Sequence, residues 1–175
     1  PLSPILSNIY LDKLDKELES RGLRFVRYAD DFIILVKSEK AAERVMASIT
    51  SWIERKLFLK VSATKTKVTR PTNSRFLGFT FVKYTSKWEC KPAKDRIVKF
   101  EKKIKDYLCR RKAIARTLAK TFTKLNQIIR GWIIYFNIGR MKQYLKEKFD
   151  PWLRHKFRVV ILKQWKKPKT IYNNL

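Results

Sequence analysis

Apolar residues keep to one helical face through the opening stretch "PLSPILSNIYLDKLDKELES", where Ile5, Ile9, Leu14 and Leu18 recur at helix spacing. Ser3 stands where a cap belongs and Pro4 suits a first helical turn, so the pattern predicts a helix that Arg21-Gly22 stops. The next segment, "LRFVRYADDFIILV", is two β-rich runs about a turn at Ala29-Asp30-Asp31, a core hairpin with its polar residues at the tip. Ser38 then caps a second helix with Ala42, Val45, Met46, Ile49, Trp52 and Ile53 on one face. "FLKVS", "KTKVT" and "RFLGFTFVKY" predict further strands, and Gly78 within the last marks a bulge or a close backbone approach. Beyond it the period becomes helical. Pro92 to Lys112 carries an apolar stripe of Ile97, Phe100, Ile104, Tyr107 and Leu108, Ile114 to Phe136 is a longer amphipathic run, and Trp152 to Trp165 is another. The predicted fold class is α+β: a helix-backed, mostly antiparallel sheet followed by an all-α module.

A composition of 45% hydrophobic and 13% aromatic residues is that of a folded chain, which excludes wholesale disorder. Charge changes the picture more. The net charge of +27 repels itself unless a polyanion or an acidic partner neutralises it, and nucleic acid is the first candidate. Residues 1 to 82 hold 15 basic and 9 acidic side chains, whereas residues 83 to 175 hold 27 and 6, so the helical part is the polyanion binder. The longest apolar runs, "FIILV" and "WIIYF", are core-sized rather than membrane-spanning, and no secretory signal is visible at the start. Cys90 and Cys109 lack metal-like spacing, so both read as reduced thiols in a cytosol-like compartment, bacterial cytoplasm or organelle.

Two adjacent carboxylates at a hairpin tip can be turn formers and nothing more. Against that, the flanks of Asp30 and Asp31 are strongly apolar, so the turn closes a rigid core hairpin, and like charges this close are unfavourable unless a cation sits between them. In a protein built for nucleic acid that cation is Mg²⁺, which takes one or two carboxylates plus substrate phosphates and supports two-ion phosphoryl transfer.

Tyr28-Ala29-Asp30-Asp31 resembles the polymerase signature of reverse transcriptases. "PLSPILSNIYLDKLD" resembles the helix after the template-contacting Pro-Gln-Gly element, and "KVSATKTKV" with "RFLGFTF" resembles the downstream strand and primer grip. "LNQIIRGWIIYFNIG" and "WLRHKFRVVILKQWKKPKT" resemble the maturase-specific thumb. The ordered set is similar to a group II intron-encoded reverse transcriptase and maturase over essentially the whole chain. The resemblance implies a palm portion in residues 1–85 and a helical thumb, or maturase domain, in residues 86–175. It implies Asp30 and Asp31 as catalytic metal ligands, and Tyr28, Ala29, Lys65, Leu77 and Gly78 at the primer or nucleotide. The implied partners are group II intron RNA, an RNA template with a DNA primer, and deoxynucleoside triphosphates. Fingers and the third carboxylate, which the family takes from upstream segments, are expected from elsewhere, so the chain is read as a C-terminal part that does not extend a primer alone. Ser62 stands where the family usually has Asn.

Lys65 is otherwise a surface lysine at a strand edge, and the rings of Phe76 and Phe79 are expected to be core rather than base platforms. Trp132, Tyr135 and Phe136 fall at helical spacing and are expected to form a packing core, with base stacking as the rival role. Arg130, Arg140, Lys142, Arg154, His155, Lys156, Arg158, Lys163, Lys166 and Lys167 are the expected RNA-binding positions, His155 being a phosphate-facing histidine rather than a catalytic one. The competing function is a binding module, derived from a polymerase, that grips structured RNA and does no chemistry.

Overall fold

A computed structural model of the chain describes residues 2–173, apart from the side chains of Arg110, Pro168 and Ile171. Contacts divide it into two units, Pro1–Leu77 and Gly78–Leu175.

In the first unit, helix α1 (Ser3–Ser20) buries Leu11, Leu14 and Leu18. The expected cap is displaced: Leu2 is already in the right-handed helical region, so it occupies the cap position and Ser3 lies inside the first turn. Pro4 is tolerated there because an amide in the first turn has no intrahelical acceptor. Gly22, at φ +65°, ends the helix, with its amide donating to Glu19 O and that of Leu23 to Leu18 O. Strands β1 (Arg24–Tyr28) and β2 (Asp31–Leu35) form the expected antiparallel hairpin, registered from Arg24↔Leu35 to Tyr28↔Asp31. Helix α2 (Glu39–Trp52) is capped by Ser38, whose hydroxyl accepts from the Ala41 amide, and runs on through a π-helical turn at Ile53–Leu57. One core joins these elements: Leu14 and Leu18 of α1, Ile49 and Ile53 of α2 with Leu57, and Phe25, Phe32 and Ile34 from the inward face of the hairpin.

"FLKVS" and "KTKVT" do not form strands; residues 58–70 run as coil with a turn in which the amides of Lys65 and Thr66 donate to Ser62 O. A strand exists only by pairing, and among the described residues no strand is paired with them. The unit closes with a 3₁₀ turn at Pro71–Asn73 and the two-residue strand β3 (Arg75–Phe76).

The second unit opens with an antiparallel hairpin of β4 (Phe79–Tyr84) and β5 (Lys87–Pro92), registered from Phe79↔Pro92 to Tyr84↔Lys87. Strand β5 was not anticipated. Helices follow: α3 (Lys94–Tyr107), α4 (Arg110–Ile114), α5 (Leu118–Phe136), α6 (Lys142–Tyr144), α7 (Asp150–Trp165) and α8 (Pro168–Asn173), with a π-helical turn at Leu145–Phe149 joining α6 to α7. The expected helix from Pro92 to Lys112 breaks at Leu108-Cys109, because the chain must turn there for Leu108 and Ala113 to enter one core. That core holds Phe100 and Ile104 of α3, Leu125 of α5, Phe149, and Val160 of α7. Gln164 Nε2 donates to the carbonyls of Ala113 and Arg116, tying α7 to the α4–α5 connection. No helix among the described residues is long and apolar enough to cross a membrane.

Candidate functional site

The hairpin places its acidic residues by simple alternation. Residues paired across β1 and β2 share a face, so Phe25, Arg27, Phe32 and Ile34 form one side and Val26, Tyr28, Asp31 and Ile33 the other. The first side packs on the helices, while Val26 and Tyr28 on the other are exposed. Tyr28 and Asp31 pair, so the connecting loop is two residues long, Ala29 and Asp30. Ala29 has φ +54°, the sign a II′ hairpin turn requires at its first central residue, where glycine is usual. The left-handed region costs a residue with a Cβ about 1 kcal/mol, so something must hold Ala29 there.

Arg27 meets that requirement. Its Nε and Nη2 donate to the two carboxylate oxygens of Asp15 at 2.7 and 2.6 Å, and its Nη1 donates to Asn8 Oδ1 at 3.0 Å and to the Ala29 carbonyl at 2.8 Å. The Arg27 side chain is only 12% exposed. The Asp15 hydrogen bond is the main influence pushing the Arg27 pKa further up, so the guanidinium is permanently charged. Asp30 and Asp31 are exposed, and among the described residues neither carboxylate has a hydrogen-bond or ion-pair partner. No cluster of three or more His, Cys, Asp or Glu residues suited to a metal occurs among the described residues. Two adjacent, unengaged carboxylates fit a hard divalent cation that draws its other ligands from phosphates and water.

Of the other expected nucleotide contacts, Lys65 is exposed on the turn after Ser62. Leu77 and Gly78 have φ +51° and +81°, forming a tight turn rather than a bulge, because both central residues are left-handed and none is inserted into a ladder. Gly78 is closely approached: a Cβ there would lie 3.2 Å from Arg96 Nε.

The basic positions lie on the helices of the second unit or, for Arg140, Lys166 and Lys167, in the segments that follow them. Arg130 is exposed on α5, and Lys142 is exposed at the start of α6. Along α7, Arg154, His155, Arg158 and Lys163 are exposed and Lys156 is half-buried, while Lys166 and Lys167 follow its end. Two arginines are already engaged. Arg140 Nη1 bonds Glu89 at 3.1 Å with its guanidinium over the Tyr84 ring, and Arg154 bonds Asp150 one turn earlier. Lys156 and Lys163 come together with Lys105 of α3 around an apolar cleft of about 320 Å³ floored by Leu108, Ile114 and Val160. Trp132 packs on Phe100 at a ring separation of 4.3 Å and on Phe136 at 4.8 Å, the arrangement of a core residue. Tyr135 departs from that expectation, being 52% exposed, with one side of its ring against Phe79.

Residues 1–81 match the family Reverse transcriptase (RNA-dependent DNA polymerase), and residues 97–175 match Group II intron, maturase-specific domain. No curated protein matches the chain. The chain belongs to the group II intron reverse transcriptase and maturase family. In this reverse transcriptase–maturase the acidic turn, Lys65 and the Leu77-Gly78 turn all lie within the first match, and every expected RNA-binding position lies within the second.

Sequence reasoning missed three residues of interest. Asp15 and Asn8 lie seven apart on α1; the alternation that turns Arg27 inward toward α1 was the available signal. Lys105 lies in the α3 stripe of lysines, and nothing local distinguishes it from its neighbours.

Proposed function

We propose that this reverse transcriptase–maturase region carries out RNA-directed DNA synthesis through Asp30 and Asp31, and that its helical part grips the intron RNA in splicing and mobility. Residues 1–85 act as palm and residues 86–175 as thumb. The observation that carries the catalytic reading is the pair of exposed, unengaged carboxylates on a turn held in a left-handed conformation.

Asp30 and Asp31 would hold Mg²⁺, which supplies charge neutralisation for the attacking and leaving oxygens of phosphoryl transfer. The chain's own contribution is positional. The buried face of the hairpin rests on α1 and α2, so Asp31 stands on a rigid scaffold on the face where Tyr28 is exposed, with Asp30 beside it in the turn. Lys65, Leu77 and Gly78 would meet the primer or nucleotide. The reading requires a third carboxylate and nucleotide-gripping fingers in addition to residues 1–175. In the helical part, Arg130, Lys142, Lys156, Arg158 and Lys163 would contact RNA phosphates, gripping duplex regions by shape because an A-form major groove excludes helices.

The test is primer extension on an RNA template by the polymerase carrying this chain with Mg²⁺, alongside RNA binding by the chain itself. Asp30→Asn should lower synthesis by roughly 10²–10³-fold while leaving RNA affinity unchanged. If synthesis survives, the acidic pair is a turn and the non-catalytic RNA-binding reading takes its place.

A further inference from the structure

The acidic turn is braced from the face opposite Asp31. Asn8 and Asp15 project from α1, and Arg27 spans from both to the carbonyl of Ala29. We propose that Arg27 is a positioning residue for the metal site, fixed by Asp15 and Asn8 and holding Ala29 in its left-handed conformation so that Asp30 and Asp31 present their carboxylates together. The proposal rests on the reading of those two aspartates as metal ligands.

The geometry uses what only a guanidinium offers. The fork of Nε and Nη2 is occupied by both oxygens of Asp15, which fixes the plane of the group, and Nη1 then carries two hydrogens in set directions, one for Asn8 and one for Ala29. A lysine could keep the charge but has no fork, so it could satisfy Asp15 without steering a donor to the Ala29 carbonyl. The contact falls on the residue whose backbone is strained, and that residue immediately precedes Asp30. A change in the Ala29 peptide therefore rotates the attachment of the first carboxylate. Helix α1 is the lever's fixed end, because Leu14 and Leu18, on either side of Asp15, are buried in the core of the unit.

The position of Arg27 on the inward face also separates this role from substrate binding. It faces α1, while Tyr28 and Asp31 lie on the other face. An arginine there touches neither primer nor nucleotide, and its effect must pass through the turn.

Mn²⁺ titration of the chain followed by electron paramagnetic resonance tests this, with thermal unfolding on the same samples to score only folded protein. Asp30→Asn should remove the bound-Mn²⁺ signal. Arg27→Lys should weaken Mn²⁺ by roughly 10-fold, as loss of a residue that orients a metal ligand does, and Asn8→Ala should weaken it less. Asn8 is exposed, so that variant keeps the test alive if Arg27 substitutions unfold the unit. Unchanged Mn²⁺ affinity in folded Arg27→Lys and Asn8→Ala, with the signal lost in Asp30→Asn, would overturn the brace and leave the metal ligands standing. An unchanged signal in Asp30→Asn would overturn both.

Discussion

The two units treat their acidic residues in opposite ways. In the second unit, 27 basic side chains face 6 acidic ones, and most of those acids are spent internally: Glu89 on Arg140, Glu101 on Tyr144, Glu147 on Gln143 and Asp150 on Arg154. In the first unit, 15 basic side chains face 9 acidic ones, and Asp12, Asp15 and Glu17 are paired while Asp30 and Asp31 stand unengaged at the hairpin tip. Adjacency singles out Asp30 and Asp31 from the other acids of the first unit without a hydrogen-bond or ion-pair partner among the described residues, Glu19, Glu39, Glu43 and Glu54, and unengaged lysine marks the candidate grip of the other unit. Total charge alone would have assigned both to phosphate binding.

If that contrast is right, salt should act mainly through the helical unit. Raising salt from about 50 to 200 mM should cost the chain on the order of 10³-fold in RNA affinity if about six phosphates are contacted. Filter binding of a Lys142, Lys163 and Lys166 triple glutamine variant should show a shallower log–log slope by somewhat under one unit per lost contact. The same number of substitutions at Lys13, Lys40 and Arg44 should leave the slope alone. An equal loss from both sets would erase the division of labour.

Substitution of the acidic pair should show the reverse selectivity. Asp30→Asn should lower primer extension by the polymerase carrying this chain by roughly 10²–10³-fold, comparable to removal of one essential electrostatic partner. RNA affinity should stay within about twofold.

Smaller effects sharpen the packing side. Trp132→Ala should destabilise the helical unit by about 3 kcal/mol, read by thermal unfolding, because its ring lies against Phe100, Phe136 and Tyr144. Weaker RNA binding with unchanged melting would restore the base-stacking role. Gly139→Ala should cost about 1–2 kcal/mol, since a Cβ there would come within 3.3 Å of the Cys90 carbonyl and 3.1 Å of the Phe79 ring. Tyr144→Phe should cost about 1 kcal/mol by stranding Glu101, whose carboxylate accepts the phenol proton at 2.7 Å.

Local pattern carried far in this chain. The hairpin, the Ser38 cap, the Gly22 stop and the stripe of Phe100 and Ile104 in α3 are governed by contacts between residues near in sequence, so their periodicity and turn chemistry were readable directly, whereas in α1 Ile5 and Ile9 of the expected face are exposed and Leu11 is buried with Leu14 and Leu18. The same holds for the acidic pair and the charge asymmetry, which are compositional facts. Three features depended on which distant segments met. "FLKVS" and "KTKVT" have strand composition and no strand partner among the described residues, and "KWECKP" became a strand because "FTFVKY" lay beside it. Leu108 and Ala113 belong to one core only if the helix between them breaks. Asp15 looks like a surface charge until strand alternation turns Arg27 inward against α1. One-dimensional spacing determined what the acidic turn is made of; packing decided what holds it, because a guanidinium fork selects its partners by direction and distance, and these exist only once helix and hairpin are docked.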